Sequence, residues 1–107
     1  MNVREKVERR SKGLCEICFS PNGVEQHHII KGRGKRTECE TEHSVIALCW
    51  NCHYGNKGVH GRDGKELNDC LVNSLEKRYK ELGYKGLELD QLMGRKPFKT
   101  VNQWWKE

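Results

Sequence analysis

Six cysteines and five histidines are a heavy load of metal-binding side chains for a chain of 107 residues. Cys15-x-x-Cys18 and Cys49-x-x-Cys52 are two C-x₂-C pairs on either side of residues 19–48. Each pair can offer two thiolates from one tight turn, and two pairs complete a tetrahedral sulfur site. Thiolate is soft and zinc tolerates the angles that turns impose, so the spacing predicts a closed, structural Zn²⁺ site on Cys15, Cys18, Cys49 and Cys52. The competing reading of the same spacing is a C-x-x-C thiol oxidoreductase, which a stoichiometry of one zinc per chain would exclude. Cys39 and Cys70 have no partner at ligand spacing. Cys70 falls within a helical pattern and is expected to be a small buried apolar group.

Four of the five histidines surround this framework. His27 and His28 end a segment with strand composition, His53 directly follows the second cysteine pair, and His60 lies seven residues further on. Neighbours on a strand point to opposite faces, so His27 and His28 are expected to do different jobs, with one able to face a metal. His53 is held near the cysteine framework by Cys52, and a bend at Gly58 lets His60 return to it. Three neutral imidazoles around one ion leave positions open for water and substrate, which is the arrangement of a catalytic rather than a structural metal.

The elements that must position these groups are short. Residues 2–12 read as a charged helix with Val3 and Val7 on one face. Val24–Ile30 and Ser44–Leu48 read as strands, and a short helix is expected around His53. The stretch Lys31-Gly32-Arg33-Gly34-Lys35-Arg36 between the strands reads as a polar, flexible loop. Leu67, Leu71, Leu75, Tyr79 and Leu82 mark one face of a helix ending at Gly83, and Leu87, Leu89, Leu92 and Met93 mark a further short amphipathic piece. Trp104 and Trp105 are expected to dock the tail onto the domain or a partner.

Composition bounds the rest. At this length one domain, 1–107, is expected, with its chemistry in residues 14–62 and a helical extension in 63–107. Only 35% of the residues are hydrophobic and the cysteines are counted among them, so the core needs a staple. A large two-domain enzyme and a self-sufficient cofactor-binding sheet are excluded. The longest apolar run, Val45–Trp50, is far short of a membrane span, and no signal-type segment opens the sequence. A cytoplasmic location in a bacterial host cell is therefore expected, where thiols stay reduced and metal ligation is the favoured staple. The formal charge of +5 favours a polyanionic partner.

With these residues in view, the chain resembles the HNH endonuclease family, and in particular its small phage-type members with a four-cysteine zinc site. Glu25-Gln26-His27-His28-Ile29-Ile30 resembles the first motif strand of that family. Ser44–His53 resembles its second strand, knuckle and helix start, and Gly58-Val59-His60-Gly61 its final histidine motif. The resemblance implies a small α+β fold with a ββα-metal (His-Me finger) core, structural zinc knuckles of four cysteines and flanking helices. It further implies that His28 is the general base and that His27, His53 and His60 hold the catalytic divalent ion, Mg²⁺, Mn²⁺, Ni²⁺ or Zn²⁺. Ser44 stands where the family usually has an asparagine that braces the loop near the base, and a hydroxyl lacks an amide's reach.

The implied activity is metal-dependent hydrolysis of DNA phosphodiester bonds. A histidine of pKa near ~6.5 suits removal of a proton from water, and the metal suits stabilisation of phosphate charge. Lys31, Arg33, Lys35 and Arg36, loosened by Gly32 and Gly34, are candidate contacts to the nucleic-acid backbone. DNA is the expected partner, phage packaging proteins and a second copy of the chain are further candidates, and no membrane is expected. The alternative is a non-catalytic, zinc-stabilised DNA-binding or adaptor module.

Overall fold

The computed structural model describes residues 1–31 and 35–95. In chain order the elements are α1 (Val3–Ser11), β1 (Glu25–His28), α2 (Lys35–Glu38), β2 (Val45–Leu48), α3 (Trp50–Tyr54), α4 (Lys65–Glu81) and α5 (Gly86–Leu92). Together they form a small α+β fold around one two-stranded antiparallel sheet. Among the described residues, no helix is long and apolar enough to cross a membrane.

Helix α1 opens on a capping box, in which the Asn2 side chain accepts from the Glu5 amide while the Glu5 carboxylate accepts from the Asn2 amide. It buries only Val7, which packs with Val45 and Ala47 of β2 in a small satellite core. So little apolar contact does not hold a helix in place, and a polar clamp supplements it. Arg10 grips both oxygens of Glu16, at 2.6 and 2.9 Å, and also donates to the carbonyls of Glu42 and Val45. Glu16 in turn accepts from the Ala47 amide at 2.8 Å. One ion pair thus ties α1, the first cysteine turn and β2 together.

The sheet sets the register of the site. Glu25 pairs with Leu48, Gln26 with Ala47, His27 with Ile46 and His28 with Val45. Alternation along β1 buries His27 and leaves His28 partly open. The strands are shorter at their ends than the sequence suggests, because Ile29 and Ile30 leave the ladder to enter the core.

The main core joins the cysteine turns to the C-terminal helices. Cys15, Cys49, Leu48, Ile29 and Ile30 pack with Leu71, Leu75 and Tyr79 of α4 and with Leu89 and Met93 near α5. Leu71, Leu75 and Tyr79 of α4 and Leu89 of α5 therefore share one core with the cysteine turns. Three expectations are corrected here. Cys70 is exposed, because it sits one position, and so about 100° around the helix, from the buried Leu71. Leu82 and Leu87 are likewise exposed, at the end of α4 and off the packing face of α5. Part of the basic loop is the one-turn helix α2, which lies next to Cys39; Cys39 is buried and its thiol donates to the Gln91 carbonyl of α5. Arg33, with Gly32 and Gly34, lies outside the described residues, as do Trp104 and Trp105.

Candidate functional site

Two turns bring the cysteine pairs together. Cys15 and Cys49 are buried at the ends of their turns, and the amides of Ile17 and Cys18 point at the Cys15 sulfur. The Cys49 sulfur caps α3 by accepting from the Cys52 amide, so the second pair is carried into the first turn of that helix. All four sulfurs lie within 4.8 Å of one another. Cys18 and Cys49 approach to 3.5 Å, and Cys52 and Cys18 to 3.8 Å. These separations exceed a disulfide bond of ~2.05 Å. They match the edge of about 3.8 Å that a tetrahedron with Zn–S bonds of ~2.3 Å requires. Among the described residues no disulfide joins any of the cysteines. Burial pushes the Cys15 thiol up, but the backbone amides around it outweigh burial and bring it down to about 6. Cys52 is pushed up by burial and by the neighbouring thiols. One ready thiolate among crowded thiols is an arrangement that a dication relieves, and the donor set fits a structural metal such as zinc.

The histidines form a second cluster. His27 on β1, His53 on α3 and His60 on the following loop place one ring nitrogen each within 4.8 Å of the others. His53 and His60 are brought together by backbone: the Val59 amide donates to the Cys52 carbonyl and the His60 amide to the His53 carbonyl. That fold-back is tight enough that a Cβ at Gly61 would collide with the Gly55 carbonyl oxygen. His27 is 5% exposed and His53 6%, yet His27 Nε2 and His53 Nδ1 have no hydrogen-bond partner. Glu25 Oε1 stands 3.2 Å from His53 Nδ1 but makes no hydrogen bond to it. Buried polar atoms without partners are costly, so two imidazole nitrogens left bare beside a third imidazole are the mark of a place for a ligand. Burial, followed by the charges of His53, His60 and Lys31, holds His27 down to about 3. Burial also lowers His60. His27 and His60 are thus both shifted toward the neutral, metal-ligating form.

His28 stands beside this cluster and not in it. Its Nε2 lies 2.9 Å from Glu40 Oε2, on the connection between α2 and β2. Ser44 is buried, and its hydroxyl is taken up by partners other than the His28 ring. Its hydroxyl donates to the Cys39 carbonyl, with the Thr41 carbonyl also in reach, and accepts from the Thr41 amide at 2.9 Å. Its own carbonyl accepts from the Ile29 amide at 2.8 Å. Ser44 therefore braces the turn that presents Glu40. His43 does not turn toward His28 either; its ring packs edge-on against Tyr79, centroids 6.0 Å apart.

The four histidines line one open cleft of about 840 Å³, together with Arg4, Lys31 and Arg36. Lys35 is directed elsewhere, toward Ile30 and Gly94. Arg4, Glu40 and Tyr54 are site residues that lay beyond sequence reasoning. Arg4 arrives because α1 packs on β2, and Glu40 because the Ser44 turn folds it back; neither has a spacing signal of its own. Compared with known protein families, curated proteins and solved structures, the chain gives no match in any of the three.

Proposed function

We propose that the chain is a metal-dependent DNA endonuclease of the HNH type, with the ββα-metal arrangement built from β1, β2 and α3. The observation that carries this reading is the placement of His28 beside, but outside, a cluster of three imidazoles, two of them with bare buried nitrogens, in one basic cleft. A ligand set and a separate base are the two parts that phosphodiester hydrolysis by water requires.

His27, His53 and His60 are the residues that would hold a catalytic divalent ion, which when bound supplies Lewis-acid stabilisation of phosphate charge. The remaining work belongs to the chain itself. His28 takes a proton from water, and the Glu40 carboxylate, an acceptor only, holds His28 in the Nε2–H tautomer and leaves Nδ1 as the basic nitrogen. Arg4, Lys31 and Arg36 draw in the phosphate backbone, so binding is salt-sensitive and weakly dependent on sequence. Cys15, Cys18, Cys49 and Cys52 would hold a zinc ion that ties the turn before β1 to the start of α3 and takes no part in the chemistry.

The test is nicking of supercoiled plasmid by protein that retains its cysteine-bound zinc, with Mg²⁺, Mn²⁺, Ni²⁺ or Zn²⁺ added back. Metal-dependent nicking supports the reading. Binding of DNA without cleavage under any ion replaces it with a zinc-stabilised binding module.

A further inference from the structure

Helix α3 carries two aromatic rings that the core does not use. Trp50 is 59% exposed and Tyr54 46%, one helical turn apart on one face, with ring centroids separated by 6.2 Å. Single exposed apolar residues are ordinary, but these two form a row that runs into the cleft. The Tyr54 ring lies 4.2 Å from His53 and is stacked with His60 at 5.7 Å, and Tyr54 itself forms part of the cleft wall.

The row is held in place before any ligand arrives. The Tyr54 hydroxyl donates to Glu25 at 3.1 Å. The Trp50 amide donates to the Asn22 carbonyl at 3.0 Å, and its Cβ sits so close to Gly23 that a side chain there would press against it. Exposed, pre-positioned rings beside a basic cleft are the components of a base-stacking surface.

We propose that Trp50 and Tyr54 form a stacking platform for an unpaired nucleobase, and that the cleft takes single-stranded or locally unpaired DNA in preference to intact duplex. This rests on the reading of the cleft as a nucleic-acid site. Inside a duplex the faces of a base are covered by its neighbours, so a flat aromatic platform gains contact only with a base that has left the stack. The cations Arg4, Lys31 and Arg36 contact phosphates of either form and do not discriminate. Discrimination falls to the aromatic row.

The experiment uses the zinc-loaded full chain carrying Trp104→Phe and Trp105→Phe, which leaves Trp50 as the sole tryptophan. A short single-stranded DNA oligonucleotide and a blunt duplex hairpin are titrated separately without added divalent ion. The proposal expects quenching of Trp50 emission by the single strand and not by the hairpin. Trp50→Ala in that background lowers single-strand affinity about 5- to 150-fold, Trp50→Phe keeps most of it, and hairpin affinity is the same in all three. Single-strand binding without quenching, or equal effects of Trp50→Ala on both probes, overturns the platform while leaving the nuclease reading intact. Binding of neither probe by the parent protein overturns both.

Discussion

The His28 ring donates to the Glu40 carboxylate across 2.9 Å, linking the last residue of β1 to the turn that precedes β2. The pair is exposed to solvent, so it adds only about 0–1 kcal/mol to stability, but it sets which nitrogen of His28 is free. Glu40→Ala is expected to lower the turnover rate of plasmid cleavage roughly 10- to 100-fold with little change in DNA affinity. Glu40→Gln, which still accepts a hydrogen bond, restores part of the rate. A fall in affinity with the rate unchanged would show that Glu40 acts on binding.

The two clusters differ in what their loss does. Structural zinc binding is folding free energy, and Cys49 is both a candidate ligand and a member of the main core. Cys49→Ser, or removal of zinc by a chelator, should abolish the cooperative thermal transition followed by circular dichroism. His60 is exposed, and His60→Ala should leave that transition in place while abolishing any second bound metal measured by titration calorimetry. Retention of the fold by Cys49→Ser would remove the cysteine cluster from its structural role.

Burial against Tyr79 lowers His43 from its ordinary value, the nearby Glu42 opposing the shift. The unfolded chain then binds a proton at higher pH than the folded chain does. Stability from this group is complete above the unfolded value of ~6.5 and is lost as pH falls toward the lower folded value. The melting temperature of the native chain should therefore drop more between pH 7 and 5 than that of His43→Gln. Comparing the two isolates His43 from acid release of zinc, which both share. Parallel curves would show that His43 carries no such linkage.

Gly61 stands where the loop carrying His60 folds back on α3. Gly61→Ala should cost about 1–3 kcal/mol in stability, the usual range for overpacking. It should also weaken binding at the histidine cluster in calorimetry without disturbing the cysteine-bound zinc. Unchanged binding at the histidines would mean that the loop relaxes around the added methyl.

What the sequence made legible was carried by local spacing. The C-x₂-C pairs, the strand alternation that separates His27 from His28, and the Leu71–Leu75–Tyr79 stripe each depend on residues within a turn or two. What stayed hidden depends on closure of the chain. Arg10 and Glu16 meet across a turn whose only sign in sequence is Gly13, and Glu40 reaches His28 because a buried serine hydroxyl folds the chain back. Helix α2 is a single turn set beside glycines and cations, so it has no periodicity to reveal it. Cys70 misled because apolar neighbours mark a helix without saying which face each residue takes.

Under the proposed function, His28 does chemistry while its neighbours His27, His53 and His60 hold metal. The most direct measurement compares the native chain with His28→Ala for bound metal per chain and for the single-turnover rate of DNA cleavage on the same preparations. The expected result is unchanged metal content with cleavage slowed by about 10²- to 10⁴-fold, the usual contribution of a general base. Cleavage at the native rate by a fully metal-loaded His28→Ala protein would contradict the account.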